Sequence, residues 1–163
     1  MKMFKGQTVS LDFALGFMLF VLVWIFLITQ FDQKFDDTLR NGDLKTMQLK
    51  SETILETLVK TKGVPENWEK LTMNELEKPG LAINDRELSQ AKLSAFSNMA
   101  SDYSEMKVRL GLEKYDFFFE FNGVDDINAG LLPGSNANEI NLERIVIYKG
   151  EIGVAKLKLY RLE

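Results

Sequence analysis

Oxygen donors and aromatic rings are the side chains of this 163-residue sequence that could do chemistry. Asp125, Asp126 and Asn128 lie close together and could hold calcium, a hard cation that takes carboxylate and carbonyl oxygens. Their spacing is not that of an EF-hand loop, and turn chemistry accounts for the Asn, Asp and Gly of residues 122–141 equally well. Tyr115, Phe117, Phe119 and Phe121 alternate at period two. Such a row is either a stacking platform for a ligand or, more simply, the inner face of a sheet. The chain has neither His nor Cys, which removes the commonest general base, the commonest zinc ligand and all thiol chemistry. A Ser or Thr nucleophile would need Lys or another unusual base. No G-x-S-x-G, P-loop or Rossmann fingerprint occurs, and no two of the 24 acids stand out as a glycosidase pair. The expectation is a protein that is not an enzyme and needs no cofactor.

A second set of residues sits at the start of the chain. Lys5-Gly6-Gln7 is followed by Ser10, Asp12 and an apolar run, with no charge from Phe13 to Thr29. This run sits at the lower end of the ~17–25 residues that a membrane-spanning helix needs, and reaches span length once Leu11 and Phe31 are included. Lys2 and Lys5 precede it, whereas Asp32, Asp36 and Asp37 follow, so the positive-inside bias puts the N-terminus in the cytosol and the bulk of the chain outside. The expected span is about 13–31, in a single pass. A removed secretory signal would have a shorter apolar region of about 7–15 residues and a small-residue exit, which TQFDQKFDDT lacks.

Lys5, Gly6 and Gln7 ahead of such a helix resemble the class III, prepilin-type signal peptide of archaeal type IV pilin-like proteins. The resemblance implies a prepilin-type peptidase that cuts between Gly6 and Gln7, removing residues 1–6 and leaving the apolar helix attached. It also implies a structural subunit, a minor or a major pilin, that assembles with other pilin-like subunits into a filament or pseudopilus on the archaeal cell surface. In the family an acid near the new N-terminus is placed to pair with the amine of a neighbouring subunit. Asp12 would fill that assembly role, one residue further along than the family pattern, which turns its carboxylate by about 100° on a helix. The other reading of Asp12 is an acid lying near lipid headgroups. The exterior part, with Gly63, Pro65, Asn67 and Trp68 after the helix and a turn at Lys149 to Glu151, is also similar to secreted domains of that family.

The elements that must position these residues follow from periodicity. Phe31, Phe35 and Leu39, then Met47, Ile54 and Leu58, carry an apolar stripe at helical spacing. Gly63 supplies a left-handed stop and Pro65 reinforces it. The expected element is one long helix over 7–62, about 80 Å long, with a possible kink at Gly42 or a division there into two helices. The domain over 63–163 is expected to hold short helices, one capped by Asn84 or Asp85 and another opening at Ser101 and Asp102, and an antiparallel sheet of three or more strands. Its strands are Tyr115–Phe121 and a closing pair joined at Lys149-Gly150, with Leu157 and Leu159 inward and Lys156 and Lys158 toward water. The fold class is α+β: a long N-terminal helix, membrane-spanning in its lower half, followed by this domain.

Two functions stay open on the residues. In the first, the chain is a pilin-like subunit whose apolar helix packs against copies of itself. In the second, it is a single-pass membrane-tethered extracellular binding module that forms no filament. The balance of 20 basic against 24 acidic residues argues against nucleic acid as a partner. The sequon N-x-[ST] does not occur, so conventional N-glycosylation is not expected.

Overall fold

The computed structural model of the protein describes the backbone of residues 6–134 and 137–161 and the side chains of residues 13–29, 42–134 and 137–161. These fall into two compact units, 1–44 and 45–163. Helix α1 runs from Gly6 to Lys60, and the boundary between the units falls within it. It continues through Gly42, so the triplet Asn41-Gly42-Asp43 does not divide it despite the ~1 kcal/mol that Gly costs in a helix interior. Thr53, Thr57 and Thr61 turn their hydroxyls back onto the carbonyls four residues earlier, at 2.7–2.8 Å. The stop is at Gly63, with φ of +86°. A Cβ there would lie 2.5 Å from the Trp68 ring and 2.8 Å from Gly80 N, so only glycine fits.

The expected membrane-spanning lower half of this helix is overturned. Among the described residues, no helix is long and apolar enough to cross a membrane. The physical reason is length. Residues 13–29, the described part of the uncharged run 13–31, rise about 25 Å at 1.5 Å per residue, short of the ~30 Å hydrocarbon core.

The unit from Lys45 onward is built on a six-stranded sheet. Strands β1 (Ala82–Asn84), β2 (Glu87–Leu88), β3 (Asp116–Asn122), β4 (Ile127–Gly130), β5 (Asn138–Tyr148) and β6 (Glu151–Arg161) take the order β1-β2-β5-β6-β3-β4. All neighbours are antiparallel except β2 and β5, which run parallel. The sheet is thus mixed, not purely antiparallel, because β2 enters only as a two-residue clip beside the end of β5. The Lys149-Gly150 turn has φ of +54° and +81° and closes on the pair Tyr148–Glu151. Both positive φ values suit the two-residue hairpin turn whose twist matches its strands.

One face of the sheet makes the core. Phe117, Phe119 and Phe121 stand opposite Leu159, Leu157 and Ala155, and all six are buried. Met47, Ile54, Leu55, Leu58 and Val59 of α1 join the same cluster, with Leu93 and Phe96 of α2 (Gln90–Met99) and Met106 of α3 (Tyr103–Arg109). The Phe96 ring meets Phe119 edge-on at 5.5 Å. Trp68 is fully buried and donates its indole N–H to Gly80 O at 2.8 Å. It pins the loop after α1 to the domain.

Local starts and stops differ in detail from expectation. Ser89 caps α2 by accepting from Lys92 N, whereas Asn84 and Asp85 lie at the β1–β2 turn. Asp102 does stand at the start of α3. Within residues 122–141, whose Asn, Asp and Gly suggest turns, β4 pairs with β3.

Candidate assembly surface

Among the described residues, the largest exposed apolar stretch is on α1. Consecutive large residues from Phe17 to Ile28 are all solvent-exposed, with Phe20 at 60%, Trp24 at 58% and Ile28 at 46%. Twelve consecutive positions cover every side of a helix with 3.6 residues per turn, so no polar face remains to meet water. Two aromatic pairs four residues apart stack along it: Phe13 on Phe17 at 6.4 Å and Phe20 on Trp24 at 6.5 Å. Gly16 falls within the first pair, where a Cβ would meet nothing within 4 Å. Glycine there leaves a notch flanked by rings, the kind of feature that lets another helix approach closely. Near the end of the uncharged run, Thr29 turns its hydroxyl inward to Phe26 O at 2.9 Å. Burying each large apolar side chain is worth roughly 1.5–3 kcal/mol, so a dozen exposed in a row is a strong drive to be covered.

Two of the three residues expected to direct processing lie at the start of this helix. Lys5 is outside the described residues, while Gly6 and Gln7 form the first residues of α1. Their peptide bond is helical here, so a protease that needs extended backbone would have to unwind that turn. Asp12 is on α1, and its side chain lies outside those described.

The calcium candidates do not converge. Asp125 Oδ2 accepts from the Tyr148 hydroxyl at 2.8 Å and from Lys149 Nζ at 2.6 Å. The lysine bond first, and the tyrosine bond second, hold the Asp125 carboxyl below its ordinary pKa. An ammonium thus sits where a cation would have to go. Asp126 is exposed, and Asn128 is paired in β4 with its carbonyl accepting from Ser97 Oγ at 2.8 Å. Among the described residues, no three acids, histidines or cysteines group as a metal site.

The aromatic row is buried, so it offers no platform: Phe117, Phe119 and Phe121 are inaccessible and Tyr115 nearly so. Sequence reasoning did not find the polar cluster beside it. Asp116 Oδ1 accepts from Tyr103 OH at 2.9 Å and Lys107 Nζ at 2.8 Å, while Tyr103 OH accepts from Phe117 N at 2.9 Å. Burial, and then the Asp116 carboxylate, push the Tyr103 hydroxyl well above its usual pKa. The group stays protonated and fastens α3 to β3, which is a structural task. A cleft of about 330 Å³ beside α1 is lined elsewhere, by Thr53, Ile54, Thr57, Leu58, Pro79 and Leu110 among others. Thr53 and Thr57 spend their hydroxyl protons on their own helix.

Neither a protein-family model, nor a curated protein, nor a solved structure matches the chain.

Proposed function

We propose that this protein is a pilin-like structural subunit that assembles with copies of itself, or with similar subunits, through the apolar stretch of α1. The observation that carries the reading is the uncharged run 13–29, exposed around its whole circumference. A folded unit with a complete core of its own stands beside it in the chain. An apolar helix with no polar face is stable only when neighbours cover it, and like helices provide that cover in a bundle. The Lys5-Gly6-Gln7 signal adds a prepilin-type peptidase as the processing partner and places the folded unit outside the cell. No nucleic acid, cofactor or catalysis enters this reading.

The test separates shape from hydrophobicity. Replacing residues 13–29 with poly-Leu keeps the apolar character and removes the notch at Gly16 and both aromatic stacks. The expected result is loss of ordered self-association, seen as filaments or defined oligomers by electron microscopy, with the folded unit intact by circular dichroism. Mass spectrometry of native protein should find Gln7 as the first residue, and Gly6→Val should block that cleavage. Normal assembly of the poly-Leu chain together with a retained Met1 would end the reading.

A further inference from the structure

The edge of the sheet at β5 is long and largely open. β5 has eleven residues, and β2 pairs with only the last two, Ile147 and Tyr148. From Asn138 to Val146 no strand flanks that side among the described residues. The hairpin register tells which groups face it. Tyr148 and Glu151 close a two-residue turn, so the even-numbered residues of β5 bond to β6 and the odd-numbered ones turn their N–H and C=O away. Ile147 N–H confirms this by donating to Arg86 O at 2.7 Å, on the β2 side. Glu139, Asn141, Glu143 and Ile145 therefore present main-chain donors and acceptors to the open edge, and all four residues are exposed. One of these groups is capped: Glu143 O accepts from Arg144 Nη1 at 2.9 Å.

An open edge templates another strand, and the side chains decide which. If β5 pairs antiparallel with β5 of a second copy, odd residues must oppose odd residues. Centring the pair on Asn141 sets Glu139 against Glu143 twice, and centring it on Glu143 sets that carboxylate against its own copy. Both place like charges opposite each other, which is destabilising. Centring on Leu142 avoids this. Asn141 then faces Glu143, an amide donor against a carboxylate, while Glu139 faces Ile145, Ile140 faces Arg144 and Leu142 faces Leu142. Glu143 already has Lys156 of its own chain at 3.2 Å to offset its charge. Centres nearer the strand ends leave fewer main-chain pairs.

We propose that the β5 edge is an isologous docking site for a second copy of this chain, antiparallel and in the register centred on Leu142. The two sheets then join as one across a two-fold axis, and Arg144 gives up its cap on Glu143 O to the incoming strand. This contact is independent of the apolar helix, so it can stand or fall apart from the assembly reading.

The absence of Cys from the chain makes the test direct. Leu142 bonds to β6, so across the new interface it forms a non-hydrogen-bonded pair with Cα atoms about 4.5 Å apart, within reach of a disulfide. Under mild oxidation, full-length Leu142→Cys should run as a cross-linked dimer on a non-reducing gel, whereas Ile140→Cys alone should not. Leu142 packs against the core, so a second experiment uses exposed positions. Asn141→Cys and Glu143→Cys, one carrying a size tag, should give the mixed dimer severalfold above either homodimer. If that mixture yields no excess of the mixed dimer, the proposal is overturned. Equal cross-linking by Ile152→Cys, which is exposed on β6 away from the edge, would overturn it too.

Discussion

Glu56 on α1 and Arg144 on β5 are 88 positions apart in the chain, yet Arg144 Nε lies 2.6 Å from Glu56 Oε1. The same carboxylate takes Lys60 Nζ on its other oxygen at 2.5 Å. One acid thus ties the last turns of α1 to the long strand of the sheet. Arg144, held this way, also reaches its neighbour's carbonyl at the sheet edge.

The ion pair makes stability depend on pH in a stated window. The Lys60 hydrogen bond first, and then that of Arg144, hold the Glu56 pKa at about 2. A folded pKa below the unfolded value contributes stability that is full above the unfolded pKa of ~4.3 and is lost as pH falls toward 2. Both partners are partly exposed, so the contribution is about 1 kcal/mol. Urea melts of the wild type and Glu56→Gln should differ by about that much at pH 7 and converge near pH 2. An unchanged gap at low pH would count against the assignment.

A fragment beginning at Gly63 should not fold. It lacks Met47, Leu55, Leu58 and Val59, all buried in the core of the unit. Removing one large core side chain costs ~2–5 kcal/mol, and whole domains have only ~5–15 kcal/mol of stability. A fragment beginning at Lys45 keeps all four residues and should melt cooperatively. The shorter fragment should bind a hydrophobic dye and aggregate, because Phe117, Phe119 and Phe121 lose their cover. Equal melting of the two fragments would show that α1 contributes nothing to the core.

Two glycines of α1 and its end should respond oppositely to alanine. Gly42 is helical, and a Cβ there meets nothing within 4 Å. Gly42→Ala should therefore favour the helix by roughly 0.5–1 kcal/mol, read as increased helical circular dichroism on mild heating. Gly63→Ala places a Cβ against Trp68 in a left-handed conformation and should destabilise the folded unit by more than ~1 kcal/mol. Thermal melting of the two variants gives the signs, and a neutral Gly63→Ala would refute the account of the helix stop.

Much of the architecture was legible from local pattern. The 3.6-residue stripe through Met47, Ile54 and Leu58 marks a helix face wherever it is read, and Gly63 before Pro65 marks its end. Phe117, Phe119 and Phe121 alternate, as a one-sided strand must, and Lys149-Gly150 supplies the two positive φ values of a tight hairpin. The uncharged run was equally legible, but its reading as a membrane span was overturned among the described residues. β4, β1 and β2 were not, because strands of two to four residues carry too few positions for a period to emerge. The capping role of Ser89 was missed for a related reason, since Asn84 and Asp85 are equally good caps and only the short strands around them remove the choice.

What the sequence by itself determined are the properties that depend on near neighbours along the chain: helix, turn and strand periodicity, the uncharged stretch 13–29, and the absence of His and Cys chemistry. Tertiary structure decided what depends on distant partners. It turned the Phe row into a core by setting Leu157, Leu159 and Phe96 against it. It gave Asp125 to Lys149 and Tyr148, so that Asp125, Asp126 and Asn128 do not converge. It brought Glu56 to Arg144, and it ended β2 after two residues, leaving most of β5 with an open edge. A side chain's own chemistry is carried by its residue type, but its partner is set by which strands and helices pack together, and that choice is made by burial across the whole domain.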